Sequence, residues 1–296
     1  MINCKDFTKA DGVILSAGYG RSSSYRGGSE DGPRKTLDVF SNNLEAFNRF
    51  TLNCPYKIVS IGHHELLDLN MNTPEQMAQR IADFYLAHGD KFILMLGGDH
   101  SVSIGAFRAL AQAYDPSDVT IVQIDAHPDL RDTPYDYKLS HEKIDHACPM
   151  RRAVELGFRT VQVGIRTISL IDHEFIRKNK LKVFEWGRKR TPTTKAIISA
   201  IKTKKVYLTF DMDGLDPAHA PGTGTPVPGG LEWSYALKLI RDLVSAKKII
   251  AADIVEIAAT KDDALTPYSA AHLCYDILSY ALLKRKKMLK FYNGAV

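Results

Sequence analysis

Asp125, His127 and Asp129 occupy every second position just after the apolar run VTIVQI at 119–124. In an extended backbone, residues two apart project to the same side. Two carboxylates and an imidazole therefore converge at the exit of a buried strand, where charge is costly unless it is paired or binds a metal. The spacing recurs after VYLTF (206–210), which leads into Asp211 and Asp213. A third run, KFILML (91–96), passes through Gly97-Gly98 into Asp99 and His100; the glycine pair permits a sharp turn and a close backbone approach.

Taken singly, a histidine after a strand or a D-x-D pair is an ordinary surface or capping feature. Together, His100, Asp125, His127, Asp129, Asp211 and Asp213 are six ligand-type side chains at three strand ends. Four carboxylates and two imidazoles without a thiolate suit hard to borderline divalent cations. One ion rarely takes six protein ligands and still leaves a position for substrate. The set therefore points to two ions sharing bridging carboxylates. Such a pair generates hydroxide at neutral pH, and hydrolysis of a stable bond is its evident use.

The elements that must position these groups are legible as short β-branched runs. They are VILSAG (13–18), KIVSIG (57–62), KFILML (91–96), VTIVQI (119–124), TVQVGI (160–165), LKVF (181–184), VYLTF (206–210) and IIAADIVEI (249–257). Most are apolar at consecutive positions, as in strands of a parallel sheet covered on both faces. Helical patterns separate many of them. Thr73-Pro74-Glu75 reads as an N-cap, a proline at the first helical position and an early acid, with Met77, Ile81 and Phe84 on one face and Gly89 closing the helix. Residues 104–114, 193–202, 234–246 and 270–283 read as further helices. Strands alternating with helices predict a three-layer α/β/α domain with a mostly parallel sheet. Loops 17–35, 130–150, 214–230 and 258–268 are long, and in open α/β sheets ligands bind beyond the carboxyl ends of the strands.

The bulk numbers agree with a globular enzyme read as one domain, 1–296. Of 296 residues, 45% are hydrophobic and 25% charged, and the net charge is only +5. The basic residues form no dense stripe with interleaved aromatics, so nucleic acid is not expected as a partner. No apolar run approaches membrane-spanning length, and the N-terminus lacks a charged and then apolar leader. Four scattered cysteines form no C-x-x-C pair, and Cys148 reads as a buried filler. A cytoplasmic location is the expectation.

The motifs resemble the ureohydrolases, which include arginase and agmatinase. GGDHS at 97–101, DAHPD at 125–129 and TFDMDGLDPAHAPGTGTPVPGGL at 209–231 look like that family's signature segments. The resemblance runs from SYRGGSEDGPR (24–34) through QVGIRT (162–167) to DIVE (253–256). It implies an eight-stranded α/β/α fold and two manganese ions per subunit. His100, Asp125, Asp129 and Asp211 would hold one ion. Asp125, His127, Asp211 and Asp213 would hold the other. Asp99, Ser101 and Asp216 would orient ligands or form turns. The implied reaction is attack of metal-bridging hydroxide on the guanidinium carbon of a small guanidino substrate. Asp129 would move the proton, Glu256 would pair with the guanidinium, and His146, rather than the nearby His141, would shuttle protons beside the substrate. The resemblance also implies a homotrimer or homohexamer.

The loop LRDTPYDYKLSHEKIDHACPMRR lacks the Asn and Ser grip of arginase-type enzymes and looks closer to agmatinases. The expected substrate is agmatine, giving putrescine and urea. Arginine, guanidinobutyrate, guanidinopropionate and aminopropylagmatine are the rivals, with an inactive regulatory paralogue as a remote one. An acid should meet the distal ammonium of agmatine, and Asp132, Asp136, Glu142 and Glu174 are the candidates. Three departures from the family pattern lie near the pocket: AGYGRSSSYRGG after the first strand, Pro128 within DAHPD, and Ala258-Ala259 after Glu256.

Overall fold

The computed structural model describes residues 1–135, 140–188 and 190–292. Eight strands form one sheet: β1 (Gly12–Ala17), β2 (Ile61–Glu65), β3 (Phe92–Gly97), β4 (Val119–Ile124), β5 (Arg159–Ile165), β6 (Lys182–Glu185), β7 (Lys205–Asp211) and β8 (Lys248–Val255). Their order is β2-β1-β3-β8-β7-β4-β5-β6, and every pairing between them is parallel.

Consecutive strand residues face opposite layers, so both faces need apolar side chains. On β3, Phe92, Leu94 and Leu96 enter one core, and Ile93 and Met95 enter the other. Helices α1 (Gly32–Asn42), α6 (Thr194–Ala200), α7 (Trp233–Ala246) and α8 (Leu265–Arg285) cover the first face. Helices α2 (Pro74–Ala87), α3 (Ser103–Ala113), α4 (Pro149–Glu155) and α5 (Leu170–Asn179) lie against the second. The three-layer α/β/α arrangement expected from the sequence is present.

Two local predictions need correction. The run at 57–62 is not the second strand. Pro55 opens a short 3-10 turn and the strand begins at Ile61. This edge strand is covered only in part, so IGHHE carries little apolar signal. Helix α2 starts where expected, with a reciprocal cap between Thr73 and Gln76, but it ends at Ala87 with His88 as its C-cap, and Gly89 adopts no left-handed conformation.

The topology explains where a site must form. β3 and β4 are consecutive in the chain but not neighbours in the sheet; β8 and β7 lie between them. The chain direction switches there, opening a crevice beyond the carboxyl ends of β3, β8, β7 and β4. Those four strands end at or just before His100, Glu256, Asp211 and Asp125.

Candidate metal centre

Each side chain of interest sits where its strand ends. After β3, Gly98 lets the chain run hard against the first loop. A Cβ there would overlap the Tyr19 carbonyl, whose oxygen accepts the Asp99 amide at 2.6 Å. The buried Asp99 carboxylate accepts the amides of Ser101 and Ser22, at 3.1 and 2.9 Å. His100 is thereby turned into the crevice.

His100 is 1% exposed, and its Nδ1 faces three carboxylate oxygens: Asp129 Oδ2 at 2.8 Å, Asp125 Oδ2 at 3.2 Å and Asp211 Oδ2 at 3.3 Å. His127 Nδ1 approaches Asp213 Oδ2 at 3.0 Å and Asp125 Oδ1 at 3.6 Å. Two ligand triads result, His100–Asp125–Asp211 and Asp125–His127–Asp213, with Asp125 in both. Backbone amides fix the acids: Asp125 accepts from His127 N at 2.6 Å, Asp211 from Asp213 N at 2.8 Å, and Asp213 from Ala126 N at 3.0 Å.

Of the eight site residues predicted from the sequence, His100, His127, Asp129, His146, Asp211, Asp213 and Glu256 line one cavity of about 400 Å³. Asp125 is fully buried within the cluster. Glu256 Oε1 accepts the His100 amide at 2.9 Å. His146 lies between Asp145, 3.0 Å from Nδ1, and the Ser24 hydroxyl, 3.3 Å from Nε2. His141 instead stacks on Tyr135 and does not line the cavity. Asp129 and Glu256 both hold left-handed backbone, at φ 52° and 62°. Non-glycine residues rarely adopt it, and such strain concentrates at functional sites.

The electrostatics follow from this crowding. Burial and the Asp125 charge push Asp129 up to about 7. Burial likewise pushes Glu256 up to about 7, with Asp99 adding to it and His146 opposing. Burial opposes charge on His100 and His127, but the surrounding carboxylates outweigh it and raise both well above the usual imidazole range. A carboxylate cluster of this density, held under neutralising imidazoles, is chemistry in search of a cation.

Residues 10–279 match the arginase family. The chain belongs to that family. It is similar to an N(1)-aminopropylagmatine ureohydrolase of Synechocystis, with 35% identity over 94% of this chain and 91% of that protein. It is also similar to a guanidinobutyrase of Pseudomonas aeruginosa, with 32% identity over 90% of this chain and 84% of that protein. The crystal structure of an agmatine ureohydrolase of Thermoplasma volcanium superposes with a TM-score of 0.81 at 29% identity, covering 96% of this chain and 94% of that one.

As an arginase-family ureohydrolase, the chain is a hydrolase, and its own geometry fits the metal pair that the fold implies. Among the described residues no hydrogen bond reaches the buried His100 Nδ1, although three carboxylates surround it. The opposite ring nitrogen, Nε2, lies 2.8 Å from the Thr209 hydroxyl, a contact that orients the ring with Nδ1 toward the acids. The donor set contains only carboxylate and imidazole, as divalent ions of the manganese type prefer.

Several supporting groups escaped the sequence reading. Gln123 donates to Asp125 Oδ2 at 2.7 Å, and Gln162 in turn donates to Gln123 Oε1 and to the Pro128 carbonyl. Their signal was visible: each is a lone amide inside an apolar strand. Arg166, in the GIRT segment, donates to the Asp213, Leu215 and Val227 carbonyls and staples the long loop after β7. Asp216 accepts the Ala218, Gly229 and Gly230 amides and is a turn former. The distal-acid candidates fare poorly. Asp132 is paired with Arg152 at 2.6 Å, Glu142 and Glu174 are exposed, none of the three lines the cavity, and Asp136 lies outside the described residues.

Proposed function

We propose that the chain hydrolyses agmatine to putrescine and urea at a two-manganese centre. One ion would be held by His100, Asp125, Asp129 and Asp211, and the other by Asp125, His127, Asp211 and Asp213. The observation that carries this reading is the pair of acid–imidazole triads sharing Asp125 in the cavity that also holds Glu256. Bound there, two divalent cations supply hydroxide at neutral pH.

The chain's own groups do the rest. Glu256 presents a planar carboxylate to the planar guanidinium, a match that is bidentate and charge-assisted. Asp129, whose Oδ2 lies 2.8 Å from His100 Nδ1 inside the cluster, takes a proton from the attacking water and delivers it to the leaving amine. His146, held by Asp145 and touching Ser24, carries protons along the cavity wall.

A second reading, N(1)-aminopropylagmatine as substrate, is favoured by the 35% identity to the Synechocystis protein. Both substrates end in an amine. Urea release from agmatine, aminopropylagmatine, arginine and guanidinobutyrate, with manganese present, decides between them. Highest kcat/KM on arginine or guanidinobutyrate would overturn both amine readings. The protein is further read as a cytoplasmic homotrimer or homohexamer, which sedimentation would test; among the described residues no helix is long and apolar enough to cross a membrane.

A further inference from the structure

Asp253 is a fully buried carboxylate that the chemistry above does not use. It is the one charged side chain in the apolar run of β8 from 249 to 255. Burial raises its carboxyl above the usual range, opposed by His100 and by the hydroxyls of Thr209, Ser103 and Tyr207. Its Oδ2 accepts the Ser103 and Tyr207 hydroxyls, both at 2.7 Å. Those two bonds tie the start of α3 and the middle of β7 to β8. They leave Oδ1 without a hydrogen bond among the described residues, and a buried acceptor in that state is costly.

The pairing of β7 with β8 sets Thr209 opposite Asp253. Both fall on the face that buries Tyr207, Ala251 and Val255, two residues away along their strands. Thr209 also reaches the metal centre, because its hydroxyl lies 2.8 Å from His100 Nε2. A hydroxyl carries one proton and can accept as well as donate. If Thr209 gives that proton to Asp253, it can only accept from His100. Nε2 then holds the imidazole proton, and Nδ1 keeps its lone pair among Asp125, Asp129 and Asp211. In the opposite order the proton sits on Nδ1, which can no longer bind an ion.

We infer that Asp253 is a positioning residue of the metal centre: through the Thr209 hydroxyl it fixes the His100 ring with its proton on Nε2 and Nδ1 open to an ion. The inference rests on the two-ion reading and deepens it. Tying α3 to the sheet engages Oδ2 alone, whereas the link through Thr209 gives Oδ1 its partner. Asn at this place keeps the shape but offers an amide donor. It would turn the Thr209 hydroxyl toward His100 and reverse the chain.

The test titrates manganese calorimetrically into metal-free wild type and variants, with no substrate present. Wild type should take up two ions. Asp253→Asn, checked for folding by circular dichroism, should hold one of them about ten- to a hundredfold more weakly. Thr209→Val cuts the same chain and should weaken the same ion, and the double variant should lose no more. Thr209→Ser keeps the hydroxyl and should keep both ions. Ser103→Ala and Tyr207→Phe break only bonds to Oδ2; they should lower the unfolding free energy yet leave both affinities in place. Wild-type affinities in Asp253→Asn or Thr209→Val, losses that add in the double variant, or an equal loss in Ser103→Ala would overturn the assignment. Should Asp253→Asn fail to fold, Thr209→Val set against Thr209→Ser decides it. A wild type that binds no manganese would defeat the two-ion reading and this assignment together, whereas two ions held alike by wild type and Asp253→Asn would defeat the assignment alone.

Discussion

Replacing Glu256 by Gln separates what the residue does for catalysis from what it does to stability. Gln keeps the shape and keeps an oxygen for the His100 amide, which Glu256 Oε1 now accepts at 2.9 Å. It removes only the charge. Removing one partner of a buried charge pair costs about 3–5 kcal/mol, so kcat/KM for the guanidino substrate should fall by roughly a hundredfold to several thousandfold. Stability should move the other way. Burial raises Glu256 from 4.5 to about 7, a gap worth roughly 3 kcal/mol. Because the folded-state value is the higher one, the carboxyl's contribution is fully present below about pH 4.5 and is lost as pH rises through about 7. In metal-free protein, Glu256→Gln should therefore match wild type at pH 4 and exceed it at pH 8. Urea release gives the first quantity, and denaturant unfolding of the chelated protein at the two pH values gives the second. Activity within tenfold of wild type would refute the guanidinium-pairing role; equal stability at pH 8 would refute the buried-charge argument.

Asp276, far along the chain on α8, provides a pH probe outside the metal cluster. Burial pushes it from 3.8 up to about 6 despite its bond from Asn48 at 2.7 Å. Its stabilising contribution is thus complete below about pH 4 and lost as pH rises through 6. Unfolding free energy of Asp276→Asn should lack a fall of roughly 3 kcal/mol that wild type shows over that window; parallel pH profiles would contradict this. Gly98→Ala should destabilise the fold by about 2–3 kcal/mol, because its Cβ meets the Tyr19 backbone rather than a movable side chain. A thermal melt checks it, and an unshifted transition would show that the two loops can part freely.

The strands were readable because a parallel sheet covered on both faces demands unbroken apolar runs, as in VTIVQI and KFILML. β2 was misplaced because an edge strand has no such demand, and its half-covered IGHHE looks like loop. Helix α5 was missed because Asp172 is its one buried residue, so no apolar stripe marks it. Helix α4 has only seven residues and α1 begins inside a segment expected to be loop. The convergence of His100, Asp125 and Asp211 was legible because strand ends carry buried charge only for a reason, whereas Glu256 entered through the family resemblance. The Ser169–Asp172 side of the cavity was not. Ser169-x-x-Asp172 reads locally as a helix cap, and only the fold brings it to the cavity that Asp129 lines.

The central claim is that two ions, held by triads sharing Asp125, enable hydrolysis of a guanidino substrate. Its most direct test adds manganese stepwise to metal-free protein and follows urea from agmatine. Urea release should rise and level off at two ions per chain. A plateau at one ion, or no urea at any ratio, would contradict the account.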